Sequence, residues 1–410
     1  MPGSSLSRFA TGAWLSRSSM VFAAGLMAVG TAAAILFLLL TSSGTLDLFG
    51  RPLGTDFSSF FAAGRMALDG RAAAAYDWNA HFEMQRQIHG SDQPFPWSYP
   101  PIFLLVASLL ALLPYVPALF VWQAGSLFAA AAVYSRIVRG RLALLFGFGF
   151  PAVLICLSHG QTGFLTAALM TGGLLAIRRN EWLAGLLFGL LAYKPQFGVL
   201  LPFVFAAGGY WRTFIAAAIT VLGLFCVTFV LWGWPVWEAF LTSTQVTRVI
   251  VFEAGDTGFE KFQSAFAWVR LWSGPVPLAY MLQAAVALFV LVTCIRIWGS
   301  RAVPFRLKAA ALLAGSLLVS PYTLDYDLVV LGMALAFLAA QGMEQGFRSW
   351  DKTVLAAGWF MPLVARTAAQ AVYFPLGFLV LLIVFCLIVM RAYEAQGEGK
   401  NVAREQLALT

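Results

Sequence analysis

Residues Gly54–Pro101 read GTDFSSFFAAGRMALDGRAAAAYDWNAHFEMQRQIHGSDQPFPWSYPP, and this stretch decides how the remainder must be read. It is the one long segment rich in charge, histidine and tryptophan. The chain around it is lipid-soluble in character: of 410 residues, 60% are hydrophobic and 11% charged, with a mean hydropathy of +0.81. Within the stretch, Asp56 stands where a helix N-cap belongs, Phe57 to Asp69 run without a breaker save Gly64, and Gly70 ends the run. At about 100° per residue, Phe57, Phe60, Phe61, Gly64 and Leu68 share a narrow apolar stripe, with Ser58, Ala62 and Asp69 to the side. A second helix is expected over 78–89, from an N-cap at Asp77 to a left-handed Gly90, with Trp78, His81, Phe82, Gln85 and His89 on one face. Both patterns predict helices that lie on a membrane surface.

Working outward, apolar runs recur along the whole length, most of them long enough to cross or nearly cross a hydrocarbon core of roughly 30 Å. The expected class is all-α and polytopic. Alternating ten-residue strand patterns are absent, which argues against a membrane β-barrel. Met20–Leu40 is too long for a signal-peptide core and reads as a retained helix. The organisation expected is one transmembrane domain over 1–393, with a first external loop at 42–98 carrying interfacial helices 57–69 and 78–89, and a polar cytoplasmic tail at 394–410. No internal repeat is visible, which weighs against an inverted-repeat transporter.

The net charge of +8 does not point to nucleic acid, because the basic residues sit in short clusters between apolar runs: Arg8 and Arg17; Arg136, Arg139 and Arg141; Arg178 and Arg179; Arg212; Arg296 to Lys308; Arg348 and Lys352; Arg391 and Lys400. Placing these in the cytoplasm puts Thr41–Ser98, Ser158–Gln161, Tyr193–Gln196, Gly233–Pro275 and Ser320–Asp327 together on the other side. Two full crossings between Tyr99 and Ser135 would break that parity, so either one helix there is partial or the Arg136 cluster is external. Cys156, Cys226, Cys294 and Cys386 each lie within an apolar run without metal-ligand spacing, so neither disulfides nor structural zinc is expected.

A few polar residues stand out against this background. Asp56, a carboxylate at the membrane boundary sheltered by the rings that follow it, is placed to take a proton from a sugar hydroxyl; equally, it can serve only as a cap. Arg65 lies off the apolar stripe, where it can hold a phosphate or merely snorkel. Lys194, in LLAYKPQF, sits between two apolar half-segments beside a helix-breaking Pro195; a lysine there lines a cavity or meets an anion. His159 and Gln161, in LSHGQTG, form either a turn or a sugar-binding edge. In SPYTLDYDL, Asp325 and Asp327 head an apolar helix, a comfortable place for acids, and Tyr322 and Tyr326 offer hydroxyls to a sugar or phosphate. The charged segment Trp234–Trp272 is a lid or a solvated loop. There is no Walker loop, no HExxH and no Cys/His ligand spacing, so no metal and no cofactor is expected.

Taken in order, DFSSFFAAGRMALDG, AAYD, WSYPPIFLL, HGQTG, GLLFGLLAYKPQ and SPYTLDYDL resemble bacterial glycosyltransferase family 87 over roughly Asp56–Leu331. The resemblance implies a GT-C fold and a polyprenyl-phosphate-mannose-dependent mannosyltransferase of the bacterial inner membrane. It further implies an active site facing away from the cytoplasm and an aspartate base in the first external loop, which maps onto Asp56. It also places the segments bearing Lys194 and Ser320–Asp327 beside the donor phosphate and sugar. Many relatives carry a histidine in the latter segment, where this chain has Tyr322 and Tyr326. The partners implied are a polyprenyl-phosphate sugar, a lipid or glycan acceptor and membrane lipids. The competing reading is a transporter or flippase of a lipid-linked or amphipathic substrate, which would also keep polar residues inside the membrane.

Overall fold

The computed structural model describes residues 5–408, and among them the chain is helical without a strand, only isolated bridges interrupting the pattern. Six helices among the described residues are long and apolar enough to cross a membrane, and the bent pair Leu142–Phe148 and Pro151–His159 makes a seventh if taken as one span. Helices satisfy their own backbone groups, which is why this architecture tolerates a hydrocarbon surround. The protein is thus an all-α polytopic membrane protein.

A short α1 (Ser5–Thr11) precedes α2 (Arg17–Leu40), whose start is fixed by a reciprocal cap between Ser16 and Ser19. Next come α3 (Phe57–Leu68) and α4 (Trp78–His89), at the positions the sequence indicates. The expectation that both lie on the membrane surface is corrected for α3. Every residue from Phe57 to Gly64 is buried, as are Met66 and Ala67. Ser58, expected at the flank, donates to Gln85 Oε1 (3.2 Å), and Ser59 donates to the Pro96 carbonyl (3.0 Å). Both polar faces are therefore satisfied by protein, so the helix can sit inside the fold without water. Against α3 packs α5 (Pro101–Leu110), so closely at Gly64 that a methyl group there would overlap the Ala107 carbonyl.

Helix α4 follows its sequence signals. Asp77 accepts from Ala80 N–H (2.8 Å) and Gly90 closes the helix at φ 67°. His81 and His89 face inward, and burial pushes both imidazoles down to about 4.

The parity problem resolves at α5. Its N-terminal neighbour Tyr99 reaches Gln161, while Tyr115, just beyond its other end, donates to the Leu53 carbonyl (2.6 Å). Ten residues rise only about 15 Å, so α5 is too short to cross a hydrocarbon core by itself. The one crossing in this region is α6 (Tyr115–Ile137).

From there the chain runs back and forth. The bent α7 (Arg141–Phe148) and α8 (Pro151–His159) return to the Asp56 side, and α9 (Gly163–Ala176) leaves it. Next, α10 (Glu181–Gly189) comes back through a tight turn to Lys194, and α11 (Leu201–Gly208) departs after a second turn at Pro195–Gly198, which is the broken helix expected around Pro195. In α12 (Trp211–Val246) the helix breaks at Gly233 (φ 72°, ψ −178°), a conformation that suits glycine. The portion before the break rises about 33 Å, a full hydrocarbon thickness, which leaves Pro235 onward beyond it.

Then follow α13 (Ala265–Leu271), α14 (Val276–Gly299), α15 (Phe305–Val319), α16 (Val329–Gln345), α17 (Asp351–Val372) and α18 (Leu376–Ala408). Of the polar tail, residues 409 and 410 lie outside the described residues.

Basic loops gather at one end of this bundle. Arg178 stands over the Phe305 ring, Trp298 Nε1 donates to the Lys308 carbonyl, Arg306 pairs with Glu344, Trp350 N–H donates to the Ala10 carbonyl, and Arg391 pairs with Asp351. Asp56, His159, Lys194 and Ser320–Asp327 occupy the opposite end. The segment Trp234–Trp272 is neither slack nor simply solvated. Phe252 stacks on Phe266 with ring centroids 4.0 Å apart, Arg270 donates to the Gly274 and Glu253 carbonyls, and Gln263 N–H donates to Thr323 (2.8 Å).

Two outcomes follow for this layer. Gly64→Ala will lower stability by about 1–3 kcal/mol, because the added methyl forces α3 and α5 apart; thermal unfolding in detergent measures it. Because His81 and His89 ionise near 4 when folded and near 6.5 when unfolded, the unfolded chain binds more protons between those values, so stability falls as pH drops through that window. An unfolding series from pH 7 to pH 4 should show this slope, and His89→Gln should flatten it.

Candidate active site

Asp56 does not cap α3. Its backbone is already in the right-handed helical region and its carboxylate makes no bond to the helix N-terminus. Instead Oδ2 accepts from Gln161 Nε2 at 2.8 Å, and the Asp56 N–H donates to the His159 carbonyl at 3.1 Å. The local turn Gly54–Asp56 is thereby bound to the α8–α9 loop, and Thr55 Oγ1 lies 2.8 Å from His159 Nδ1 in the same contact.

The orientation of Gln161 is over-determined. Its Oε1 receives the Tyr99 hydroxyl (2.9 Å) and the Thr162 N–H (3.0 Å), both of them donors, so the amide nitrogen must face Asp56. Burial pushes the Tyr99 phenol far up from its usual range, which keeps its proton in place for this role. Phe57, Phe60, Phe61, Trp97, Phe103, Tyr115, Trp122 and Tyr193 pack edge-to-face, tilted or stacked around the start of α3. Each such ring pair adds about 0.5–1.5 kcal/mol beyond area burial, so this wall next to Asp56 is rigid. Asp56 itself is half-buried, and Oδ1 has no hydrogen-bond partner among the described residues.

Lys194 meets an anion, and that anion is Asp327. Nζ to Oδ1 is 2.7 Å, and both side chains are almost wholly buried. Asp327 Oδ2 also accepts from Leu324 N–H (3.2 Å), and the ammonium lies 5.0 Å from the centroid of the Tyr326 ring. The pair fastens the α10–α11 break to the start of α16. Asp325, two residues earlier, is ion-paired with Arg366 of α17, Oδ2 and Nε lying 3.1 Å apart, although neither atom makes a directed hydrogen bond. Tyr322 stands against Phe262 (5.3 Å between centroids), its phenol pushed up by burial and then by Tyr99, Asp56 and Asp327.

Of the candidates named from sequence, Asp56, His159, Gln161, Lys194, Tyr322, Asp325 and Tyr326 are therefore gathered at this end of the bundle. Arg65 is not. It sits about 13 Å along α3 from Asp56, is exposed, and lies near Asp69 at 4.0 Å. Three contributors escaped the sequence reading. Tyr99 lies within the quoted WSYPP, but nothing in its spacing pairs it with Gln161. Thr55 is an ordinary loop threonine. Arg366 did carry a signal, being a lone arginine in the apolar run MPLVARTAAQAV, an expensive position that marks function or a buried partner.

With this geometry in hand, the sequence profile of glycosyltransferase family 87 matches residues 97–321. The chain belongs to glycosyltransferase family 87. The matched region covers Tyr99, His159, Gln161 and Lys194, whereas Asp56, Asp325 and Arg366 lie outside it and join the site through the contacts above. No curated protein and no solved structure matches the chain. Family membership makes this a membrane glycosyltransferase.

Removing one partner of a buried ion pair leaves the other uncompensated. Lys194→Ala should therefore destabilise by about 3–5 kcal/mol, while Lys194→Met combined with Asp327→Asn should recover most of the loss, as read from thermal unfolding in detergent.

Proposed function

We propose that this glycosyltransferase moves a sugar from a polyprenyl-phosphate donor to a hydroxyl of a lipid or glycan acceptor, with inversion and with Asp56 as general base. Mannose is the sugar favoured by the likeness to family 87. The observation that carries the reading is the Asp56 carboxylate itself: one oxygen held by Gln161, the other free, on a rigid aromatic wall. A base needs a fixed direction and an open lone pair, and the contact with Gln161 leaves Asp56 both, without the carboxylate being used as a helix cap.

In the proposed displacement the acceptor hydroxyl gives its proton to Asp56 Oδ1 as its oxygen bonds to the anomeric carbon. The bond from that carbon to the donor phosphate breaks on the opposite face, and its electron pair leaves with the lipid phosphate. Of the cations considered, Lys194 is matched by Asp327 and Arg65 is remote. Arg366 is half-buried and ion-paired with Asp325, but its Nε makes no directed hydrogen bond and its side chain stays partly exposed, and a guanidinium suits a phosphate's paired oxygens. We assign it to the leaving phosphate. The basic loops at the far end of the bundle favour placing the site on the extracytoplasmic face, which in a bacterial inner membrane is where lipid-linked sugars are consumed.

The test is transfer of radiolabelled sugar from polyprenyl-phosphate mannose to membrane lipids in proteoliposomes. Asp56→Asn should lower the rate by about 10²–10⁴-fold with folding intact. Wild-type transfer by a folded Asp56→Asn protein would refute the base assignment. Arg366→Ala should raise the KM for donor more than Arg366→Lys does; equal values would remove Arg366 from the phosphate.

A further inference from the structure

Away from the Asp56 carboxylate, a groove of about 570 Å³ opens between α4, the segment Pro94–Trp97 and the part of α12 that follows the Gly233 break. Its lining combines three kinds of group. Tyr76, Trp78, Phe82 and Trp97 supply aromatic faces, Thr242 and Ser243 supply hydroxyls, and Asp77 and Glu238 supply carboxylates. Neither lysine nor arginine contributes to the wall. Glu238 is exposed and has no ion-pair partner among the described residues.

Two buried polar groups on this wall lack partners. Neither ring nitrogen of His81 is hydrogen-bonded, although the Phe95 carbonyl, which accepts from Gln85 Nε2 at 2.6 Å, lies close by. Trp97 Nε1 is also unbonded, although the Tyr76 phenol is close by. Leaving such groups unsatisfied is costly, and native structures keep few of them without a reason. Burial keeps His81 neutral at physiological pH, so the wall presents acids, neutral donors and acceptors, and rings, with no positive charge.

We propose that this groove binds a neutral, hydroxyl-rich saccharide, the glycan part of the acceptor. Aromatic faces cover the apolar C–H faces of a sugar ring, while Glu238, Thr242 and Ser243 exchange hydrogen bonds with its hydroxyls. The net acidity repels phosphate, so the groove selects against the donor's lipid phosphate and against anionic headgroups. It connects to the reacting end through two tyrosines: Tyr76 donates to the Tyr99 carbonyl at 2.9 Å, and the Tyr99 phenol holds Gln161 against Asp56. Ser59, three residues from Asp56, anchors Pro96 on the same wall. The word "acceptor" rests on the function proposed above; the saccharide chemistry rests on the lining alone.

The experiment is saturation-transfer NMR on the full chain in lipid nanodiscs, free of sugar-based detergent, with linear gluco- and manno-configured trisaccharides as probes and a sugar phosphate as competitor. Saturable binding of a trisaccharide is expected, weakened about fivefold by Glu238→Gln or Thr242→Val, the scale of one lost hydrogen bond. These substituted residues are exposed, so folding is not at stake. No saturable binding, wild-type binding in both the Glu238→Gln and Thr242→Val variants, or preference for the sugar phosphate would each overturn the proposal. Binding is read without turnover, so a failed transfer assay leaves this result standing, and the reverse also holds.

Discussion

One buried ion pair sets the arrangement of the reacting end. Lys194 and Asp327 come from segments far apart in the chain, and each would be untenable in an apolar interior without the other. Their contact fixes where the α10–α11 break lies relative to the start of α16. It also places Tyr326 beside the ammonium and Asp325 beside Arg366. A buried pair of this kind adds little net stability compared with apolar packing, but it punishes every alternative packing that separates its members. It is better understood as a device for register than as glue.

A second constraint acts on Asp56. Hydrogen-bond donors on Tyr99 and Thr162 determine which way the Gln161 amide faces, and Gln161 in turn determines which carboxylate oxygen remains available. Three chain segments, 54–56, 97–103 and 159–162, meet in this small network, backed by rings from α3, α5 and α6. The polar residues that hold the carboxylate are themselves buried, so the energy of leaving any of them unpaired enforces the geometry. The same logic explains why α3 sits inside the fold. Its serines find partners in α4 and the Pro96 loop, and once they do, only Arg65 near its end remains as a polar side chain facing outward.

Division of labour between the two ends of the bundle follows from charge. Basic loops collect at one end, where they contact one another's helices, and the acidic and aromatic cluster collects at the other. Under the proposed function a phosphate-bearing donor must find a cation at the acidic end, and Arg366, beside Asp325, is the one assigned to it. The acid-lined groove beside α4 offers the opposite electrostatic environment, so two substrates of different charge can be held apart by chemistry as well as by position.

Composition, the apolar runs, the Asp77 and Gly90 caps, the broken helix at Pro195 and the common side of the polar loops were all legible in the amino-acid order, because each depends on local periodicity or on the energy of putting charge in lipid. Asp56 and Lys194 were legible as candidates for the same reason. What the order of residues could not supply is pairing. Whether Asp56 caps its own helix or meets Gln161, whether α5 crosses, and whether Arg65 or Arg366 stands near the acids all depend on contacts between segments distant in the chain. Such contacts are decided by which polar groups find buried partners once the helices pack, and that selection belongs to the tertiary structure.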